Sequence, residues 1–245
     1  MIAALRHGVN CNPTPRSRHA EKGSGEQMSK AELTISSKTY SAWSLRGWLL
    51  CRMAGLEFEE KTISIDDPAN RAELLLLSPS VLVPRLTHDG ASVWDTLAIA
   101  GYLNELFPKA GMYPADIKAR AHCRAISGEI HSGFANLRSA LPMNLKAHHE
   151  NFRIFAGAQP DIERIEAIWS DCLRTYGGPF LFGAKPTVAD AMYAPVTRRF
   201  LSYNVPISAA SAAYCQTISA WPPMIDWTEA ALAEPEEIEE LDIEF

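Results

Sequence analysis

Two serines stand three residues apart in the segment Tyr-Ser-Ala-Trp-Ser-Leu-Arg, which follows the short β-like run Glu-Leu-Thr-Ile-Ser. Ser41 and Ser44 lie where that run passes into an apolar, helix-like segment, with Arg46 two residues further on. Serine is among the best helix N-caps, and a cap alone contributes about 1 kcal/mol. A helix N-terminus also stabilises a nearby anion. The same hydroxyls could therefore cap a helix or act on a thiolate.

The elements predicted around the serine pair form an α/β unit over residues 31–108. A strand is expected near Leu33, and a helix from Trp43 to Ala54 ends at Gly55, a helix-stop signal. The remaining predicted elements are an alternating strand at 58–65, a short helix at 67–79, two short strands within 83–94 around an Asp-Gly turn, and a helix at 95–107. The order βαβαββα predicts a small mixed sheet with helices on both faces.

The second half of the chain carries helical periodicity and no convincing strand, which predicts an all-α domain over residues 116–232. Pro108 and the residues after it form the linker. The predicted helices lie at 116–141, 160–176, 187–200, 208–220 and 222–232. Thr187 and Asp190 have capping-box spacing, which marks a helix start and requires no catalytic role.

Both ends of the sequence differ in composition from the two predicted domains. Residues 1–30 are rich in Arg, Ser, Pro and Gly without an apolar period, and we expect a disordered leader; Met28 is an alternative start. Residues 233–245 contain seven carboxylates, so the formal net charge of −6 becomes +1 when that tail is left out. A run of like charges is typical of a solvated end.

Several classes of function are disfavoured by composition and motifs. A nearly neutral body does not favour a nucleic-acid partner, and no apolar run approaches the ~20 residues of a membrane span. Nucleotide-binding glycine loops and a Gly-x-Ser-x-Gly elbow are absent from the sequence. The cysteines are odd in number and widely spaced, which indicates reduced thiols and a cytoplasmic protein without a metal site. They are Cys11, Cys51, Cys123, Cys172 and Cys215.

The predicted βαβαββα order is that of thioredoxin-like domains. Redox members place Cys-x-x-Cys where the first strand enters the first helix, because the helix N-terminus stabilises a thiolate. Here that position holds Ser41-Ala42-Trp43-Ser44, in which oxygen replaces both sulfurs. Serine cannot form a disulfide, so we infer that the sulfur belongs to a ligand.

From Leu33 to about Leu232 the chain resembles the cytosolic glutathione S-transferases, in particular the serine-type, zeta-like bacterial branch. The segment at 40–50 resembles Ser-Ser-Cys-Ser-x-Arg, and residues 82–86 resemble the Val-Pro turn with a cis proline. Residues 94–103 resemble the [Glu/Gln]-Ser-x-Ala-Ile-x-x-Tyr-Leu signature, and Pro-Thr-Val-Ala-Asp resembles the capping box of the helical domain. Residues 129–145 are typical of a bacterial branch that shares the first segment.

The resemblance implies glutathione as co-substrate and a specific set of contacts. Ser41 is expected to be the catalytic residue, whose hydroxyl donates to the glutathione sulfur. The expected glutathione-binding residues are Ser41, Trp43, Val83, Pro84, Asp95 and Thr96, with Asp95 and Thr96 holding the γ-glutamyl end. His131, Phe134 and Arg138 are predicted to share one helical face at i, i+3 and i+7 as a possible substrate pocket. No metal is implied.

The sequence also departs from the family pattern. The usual Gly-Lys before Val-Pro is Val81-Leu82, so a lysine for a glutathione carboxylate is missing. Asp95 and Thr96 replace the commoner Glu or Gln and Ser while keeping their polar type. The arginine that zeta-like isomerases carry in the helical domain has its nearest match at Ser202.

The resemblance leaves more than one function open. A transferase acting on small electrophiles in detoxification is expected, with a glutathione-dependent peroxidase or a maleylacetoacetate-type isomerase as alternatives. A non-catalytic protein that binds glutathione or another ligand is the alternative of another class, since a fold does not determine function. A cytoplasmic homodimer is expected, with no nucleic acid and no membrane as partners.

Overall fold

The computed structural model describes residues 31–63 and 82–235. The predicted leader, the predicted second helix at 67–79 and most of the acidic tail lie outside these residues. Within them, an N-terminal unit with a sheet is followed by a helical unit, as the sequence predicts.

The N-terminal unit is a four-stranded mixed sheet with strand order β2-β1-β3-β4. Strand β1 pairs in parallel with β2 and antiparallel with β3, and β3 pairs antiparallel with β4. The strands are β1 Ala31–Ile35, β2 Phe58–Thr62, β3 Arg85–His88 and β4 Ala91–Trp94. Strand β2 is described as far as Thr62, and residues 64–65 of the predicted strand lie outside the described residues. Six residues, 36–41, join the end of β1 to the helix that follows it.

Two helices accompany the sheet in the described part of this unit: α1 (Ala42–Ala54) and α2 (Thr96–Leu106). Gly55 ends α1 in the left-handed conformation, with φ of 73°, as its position in the sequence predicts. The two helices pack against each other. Leu45, Leu49 and Ile99 are fully buried, so their burial fixes α1 and α2 against the core.

The described helices of the second unit are α3 (Ile117–Ser132), α4 (Ala135–Ala140), α5 (Gln159–Tyr176), α6 (Val188–Ser202), α7 (Ala209–Ser219) and α8 (Pro222–Leu232). Helix α6 is almost entirely buried and packs on α1, α3 and α7. One continuous apolar core extends through both units. Residues of α1 and α6 therefore belong to a single packed body.

The predicted capping box at the start of α6 is present. Asp190 is fully buried, and its carboxylate accepts hydrogen bonds from the backbone of Leu181 and Thr187 and from the hydroxyls of Thr187 and Tyr214. Burial raises the pKa of Asp190 to about 6, against the lowering effect of these donors. The residue fixes the entry to the central helix and has a structural role.

Candidate active site

Ser41 is the N-cap of α1. Its backbone is extended, with φ of −85° and ψ of 94°, and its Oγ accepts a hydrogen bond from Ser44 N at 3.2 Å. The capping interpretation of the sequence is therefore confirmed. A cap of this kind leaves the hydroxyl proton free to be donated elsewhere, so capping does not exclude a chemical role for Ser41.

The hydroxyl of Ser41 belongs to a chain of three serines that joins β1 to α1. Ser41 Oγ donates to Ser44 Oγ at 2.9 Å, and Ser36 N donates to the same Ser44 oxygen at 3.0 Å. Ser36 Oγ lies a further 3.4 Å from Ser44 Oγ. Ser44 is fully buried and Ser41 is half-buried. Ser41 is thus the most accessible of the three serines, and the buried Ser44 fixes its position by hydrogen bonds.

Pro84 follows Val83 through a cis peptide bond, as the resemblance to the Val-Pro turn implies. The buried proline ring packs directly on the backbone of α1 at Gly47. A Cβ atom added at Gly47 would lie 2.4 Å from Pro84 Cγ and 2.6 Å from Pro84 Cβ. The absence of a side chain at Gly47 therefore allows α1 and the turn at Val83 to approach each other closely.

Asp95 and Thr96 begin α2 beside this turn. Asp95 has φ of 73°, and its Oδ1 caps the helix by accepting from Leu97 N at 2.8 Å and Ala98 N at 3.2 Å. Thr96 is fully buried, and its Oγ1 has no hydrogen-bond partner among the described residues. A buried hydroxyl without a partner is costly, and the expected contact of Thr96 with glutathione stays a prediction.

His131 from the helical unit contacts both Asp95 and Trp43. Its Nε2 lies 2.6 Å from Asp95 Oδ2, and its ring meets the ring of Trp43 edge-on with centroids 5.2 Å apart. One histidine therefore joins the capping acid of α2 to the first turn of α1. The predicted glutathione residues Trp43 and Asp95 are brought together with one residue of the predicted substrate pocket.

Two arginines lie against the ring of Trp43. Arg46 Cζ is 4.6 Å from the ring centroid and Arg138 Cζ is 5.0 Å from it. Arg46 is almost completely buried, and its Nε donates to the carbonyl of Met192 on α6 at 2.8 Å. Trp43 thus makes cation–π contacts with arginines from both units.

The cations at this site are not neutralised by carboxylates within the described parts of the chain. Burial, with the charges of Arg199 and Arg138, holds the pKa of Arg46 well below its usual range. Burial and the charge of Arg138 lower the pKa of Arg199 to about 10, and burial lowers the pKa of Arg138. None of the three forms an ion pair with a described carboxylate. The first turn of α1 therefore has two cationic neighbours at Trp43, Arg46 and Arg138, while the Asp95 carboxylate lies on the far side of His131.

The prediction that His131, Phe134 and Arg138 share one helical face is wrong. Helix α3 ends at Ser132, and α4 begins at Ala135. Phe134 lies between the helices with a left-handed φ of 62° and is only 8% exposed, so it belongs to the core.

Arg138 reaches the site by a different route. Its Nη2 donates to the main-chain carbonyls of Ile130 and His131 at the end of α3, the latter at 3.0 Å. The guanidinium thereby caps the helix that carries His131. His131 and Arg138 meet at Trp43, whereas Phe134 packs in the core.

Sequence reasoning missed one residue that contacts the loop before Ser41. Glu234, predicted to lie in a solvated acidic tail, accepts hydrogen bonds from Ser37, Lys38 and Thr39. The prediction of a solvated end is therefore wrong for this residue. Since nearly 200 residues separate the partners along the chain, no local pattern could have indicated the contact.

The cysteines in the described ranges take no part in the site. Cys51, Cys123, Cys172 and Cys215 are free thiols with no exposed surface. Burial raises the pKa of Cys51 well above its usual value, that of Cys123 to about 11, and those of Cys172 and Cys215 to about 12. These thiols stay protonated at neutral pH. Within residues 31–63 and 82–235, no cysteine therefore offers a reactive sulfur at Ser41.

Two further properties concern the described ranges as a whole. Residues 31–63 and 82–235 contain no group of three or more His, Cys, Asp or Glu side chains placed to hold a metal ion. Of the helices in the same ranges, none combines the length and apolar character needed to cross a membrane.

Comparison with protein families matches both units of the chain. Residues 40–106 match the family described as "Glutathione S-transferase, N-terminal domain", and residues 145–230 match "Glutathione S-transferase, C-terminal domain". Together the two matches span more than half of the chain and include Ser41, Pro84 and Asp95.

Curated relatives of known name are similar to the chain over most of its length. A probable maleylacetoacetate isomerase of Caenorhabditis elegans is 27% identical over 182 residues, which cover 74% of this chain and 85% of that protein. Glutathione S-transferase 1 of Dianthus caryophyllus is 26% identical over 174 residues, covering 70% and 78% of the two chains.

Solved structures show the same fold. A glutathione transferase homologue from Burkholderia GL BGR1, solved with bound glutathione, superposes with a TM-score of 0.64 at 23% identity and covers 84% of this chain and all of its own. A maleylacetoacetate isomerase from Anaeromyxobacter dehalogenans 2CP-1, solved with glutathione in its active site, gives a TM-score of 0.60 at 20% identity. It covers 86% of this chain and 99% of its own.

Proposed function

Because the chain belongs to the glutathione S-transferase family, we propose that it binds glutathione and activates the thiol for attack on small electrophiles. The observation that carries this proposal is the position of Ser41. Its hydroxyl caps a helix of 13 residues, and within the described residues its proton is donated to another serine, at 2.9 Å. That proton can be redirected to a sulfur without loss of the cap.

Three features of the chain favour the thiolate over the thiol at this position. The Ser41 hydroxyl supplies a hydrogen-bond donor, the N-terminus of α1 supplies its dipole, and Arg46 and Arg138 supply positive charge around Trp43. A free thiol has a pKa of about 8.5, and such surroundings lower it toward or below neutrality. Each pKa unit corresponds to about 1.4 kcal/mol of preference for the thiolate.

The remaining predicted residues have roles in holding the tripeptide. Thr96 offers a buried hydroxyl without a described partner. Asp95 uses three of the roughly four lone-pair positions of its carboxylate on Leu97, Ala98 and His131. One position remains for the γ-glutamyl ammonium group. Val83 presents its backbone to the cysteinyl part, and Pro84 with Gly47 holds that backbone against α1.

Glutathione supplies the sulfur nucleophile, which forms a bond to the electrophilic carbon as a leaving group departs or an activated double bond is saturated. The chain stabilises the negative charge on the sulfur before this step. We place the electrophile near His131 and Arg138, the two residues of the predicted pocket that meet at Trp43. Phe134 is left out because it is buried in the core.

A second candidate is a glutathione-dependent isomerase for a maleylacetoacetate-type substrate. Two observations favour it: the similarity to a probable maleylacetoacetate isomerase and the cluster of Arg46, Arg138 and Arg199 without described carboxylate partners. Such a cluster suits a substrate that carries carboxylates. Ser202, which holds the position nearest the isomerase arginine, instead donates to the carbonyl of Asn144 at 3.1 Å. Turnover of maleylacetoacetate compared with that of neutral electrophiles distinguishes the candidates.

We further propose that the protein is a cytoplasmic homodimer with a role in detoxification, as its family membership suggests. Leu106 at the end of α2 and Ile117 at the start of α3 are exposed apolar residues that a partner subunit could cover; Ile117 is 70% exposed. Light scattering of the purified protein measures the oligomeric state directly. A monomer at micromolar concentration would contradict this part of the proposal.

Calorimetric titration with reduced glutathione tests the proposed function. Wild type, Ser41→Ala and Asp95→Ala are compared in buffers of different ionisation enthalpy, which reveals release of the thiol proton. We expect micromolar to millimolar binding, weakened by Asp95→Ala, with proton release lost in Ser41→Ala. Binding without proton release or turnover in the wild type would indicate a non-catalytic binding protein. No binding would refute the proposal.

A further inference from the structure

The carboxylate of Glu234 accepts hydrogen bonds from the loop that leads from β1 to Ser41. Its Oε1 accepts a hydrogen bond from Lys38 N at 2.6 Å. Its Oε2 accepts from Ser37 Oγ at 2.9 Å, from Thr39 N at 2.9 Å and from Thr39 Oγ1 at 2.8 Å. Four donors from three consecutive residues thus converge on one carboxylate, which comes from just beyond the end of α8.

This contact selects the ionised form of Glu234. Burial opposes ionisation, but the donors on Lys38, Thr39 and Ser37 together outweigh it and lower the pKa of Glu234 below its usual value. Hydrogen bonds to a carboxylate are stronger than those between neutral groups. At neutral pH the loop is therefore held by a charged acceptor.

Further hydrogen bonds from the helical unit reach both Glu234 and the loop 37–39. Lys146 Nζ donates to the main-chain carbonyl of Glu234 at 2.6 Å, and Trp227 Nε1 on α8 donates to the carbonyl of Lys38 at 3.0 Å. Leu145 N donates to the carbonyl of Thr39 at 3.2 Å. The loop before α1 is thus fastened to the helical unit from two sides.

Residues 37–39, which donate hydrogen bonds to Glu234, lead directly into the candidate active site. Ser37 O accepts a hydrogen bond from Ser41 N at 3.0 Å, so the turn that Glu234 holds ends at the N-cap of α1. Tyr40 is the one residue between Thr39 and Ser41. A displacement of the 37–39 turn would therefore move Ser41 Oγ relative to the helix axis.

We propose that Glu234 is a positioning residue for Ser41, through which the C-terminal end of α8 sets the orientation of the thiol-activating hydroxyl. This inference rests on the proposed function, in which Ser41 donates to the glutathione sulfur. Glu234 acts through Ser37 and Thr39 and does not touch the reacting atoms. Since hydrogen-bond geometry limits how well a donor stabilises a thiolate, a small shift of Ser41 changes the pKa of the bound thiol.

The test compares Glu234→Gln with wild type and with Glu229→Gln as a matched control. Glu229 lies on α8 and is exposed, and its carboxylate makes no hydrogen bond or ion pair within residues 31–63 and 82–235. Gln at position 234 keeps the size of the side chain but turns an amide group toward donors that need an acceptor. Glu234→Asp restores the charge on a shorter side chain, and Lys146→Met removes the second anchor independently.

Two measurements show whether Glu234 positions Ser41 or only supports the fold. They also test whether the protein binds glutathione as proposed. Amide hydrogen exchange of residues 37–44, measured without glutathione, reports whether Glu234 orders the loop. Ultraviolet absorbance of the bound thiolate against pH reports the pKa of the glutathione thiol. We expect Glu234→Gln to raise exchange in this segment several-fold and to raise the thiol pKa by about half a unit to one unit, with partial recovery in Glu234→Asp.

Each outcome decides one of the two proposals. Unchanged exchange and an unchanged thiol pKa in Glu234→Gln would overturn the positioning role. A lower melting temperature with the thiol pKa unchanged would also overturn it, because support of the fold alone gives that result. Faster exchange in a protein whose wild type binds no glutathione would refute the proposed function and, with it, any role of Glu234 in thiol activation.

Discussion

His131 Nε2 lies 2.6 Å from Asp95 Oδ2, and this contact joins the helical unit to the residue that begins α2. Both side chains are partly exposed, at 26% and 39%. Asp95 is also the N-cap of α2, so the histidine contacts the acid proposed to hold the γ-glutamyl group. In the proposed function, recognition of glutathione would therefore involve a side chain of the helical unit as well as the sheet-bearing unit.

Replacing His131 with Phe should weaken glutathione binding about five-fold. The phenyl ring keeps the packing against Trp43 but removes the donor to Asp95, and a hydrogen bond of this exposure contributes about 1 kcal/mol. Calorimetric titration measures the change, with the exposed His148→Phe as control. A double-mutant cycle with Asp95→Ala should show coupling, since contacting residues are not additive. Additive effects would indicate that the contact does not matter for binding.

Ser41→Ala and Ser41→Gly should separate capping from thiol activation. Loss of the cap in the Ala variant lowers the free energy of unfolding by about 1 kcal/mol, whereas Gly costs only a few tenths. Both variants lack the hydroxyl and should lose turnover equally. Chemical denaturation and initial rates measure the two effects. If turnover instead changed in step with stability, so that Ser41→Gly kept nearly wild-type turnover, Ser41 would be only a cap.

Gly47→Ala should destabilise the protein by about 1–3 kcal/mol, because the new methyl group would overlap the ring of Pro84. Helix propensity alone predicts the opposite sign, a gain approaching 1 kcal/mol. Gly101→Ala in α2 is the matched control, since a Cβ there meets no atom within 4 Å. Thermal unfolding of both variants decides the sign, and equal stabilisation of the two would show that no close approach exists.

Asp190→Asn should lower the free energy of unfolding by roughly 2–4 kcal/mol, since it places an amide group against donors in a fully buried site. The control is Asp171→Asn, which affects only a surface ion pair with Arg174 and should cost less than about 1 kcal/mol. Urea denaturation gives both values. Equal, small costs would contradict the structural role assigned to Asp190.

The stabilising contribution of Glu234 should disappear in acid. Its pKa is lower in the folded state than its ordinary value of 4.5, so the folded state binds fewer protons near that pH. The contribution is complete above pH 4.5 and is lost as the pH falls through the lowered folded-state value.

Urea denaturation of wild type and Glu234→Gln as a function of pH measures this contribution. The difference in unfolding free energy between the two proteins should narrow as the pH falls below 4.5, because glutamine does not titrate. A difference that stays constant from neutral pH down through the acid range would show that the charge of Glu234 is not involved.

Much of the N-terminal unit could be predicted because its signals are local. The strand-to-helix junction at Ser41, the helix stop at Gly55 and the Asp-Gly turn between β3 and β4 all follow from residue types at fixed spacings. In the helical unit, the prediction of one continuous helix over 116–141 was wrong. Gly133 gave a stop signal that the apolar period obscured, and a left-handed phenylalanine at position 134 is not indicated by its residue type.

The candidate site was predicted where its residues lie in motifs and was missed where it depends on distant contacts. Ser41, Pro84 and Asp95 belong to short segments that resemble a family. The contacts of Arg46 with Met192, Arg138 with the end of α3, and Glu234 with the 37–39 turn arise from tertiary packing. Long polar side chains make such contacts over many sequence separations, so spacing along the chain does not indicate them.

The burial of four cysteines bears on the durability of a catalyst for electrophiles. A protein that gathers alkylating compounds exposes its own nucleophiles to them at high local concentration. Cys51, Cys123, Cys172 and Cys215 have no exposed surface, and their raised pKa values keep the thiolate population very small. Burial thereby protects these four thiols from alkylation by an electrophilic substrate, and in the proposed function the sulfur that reacts is that of glutathione.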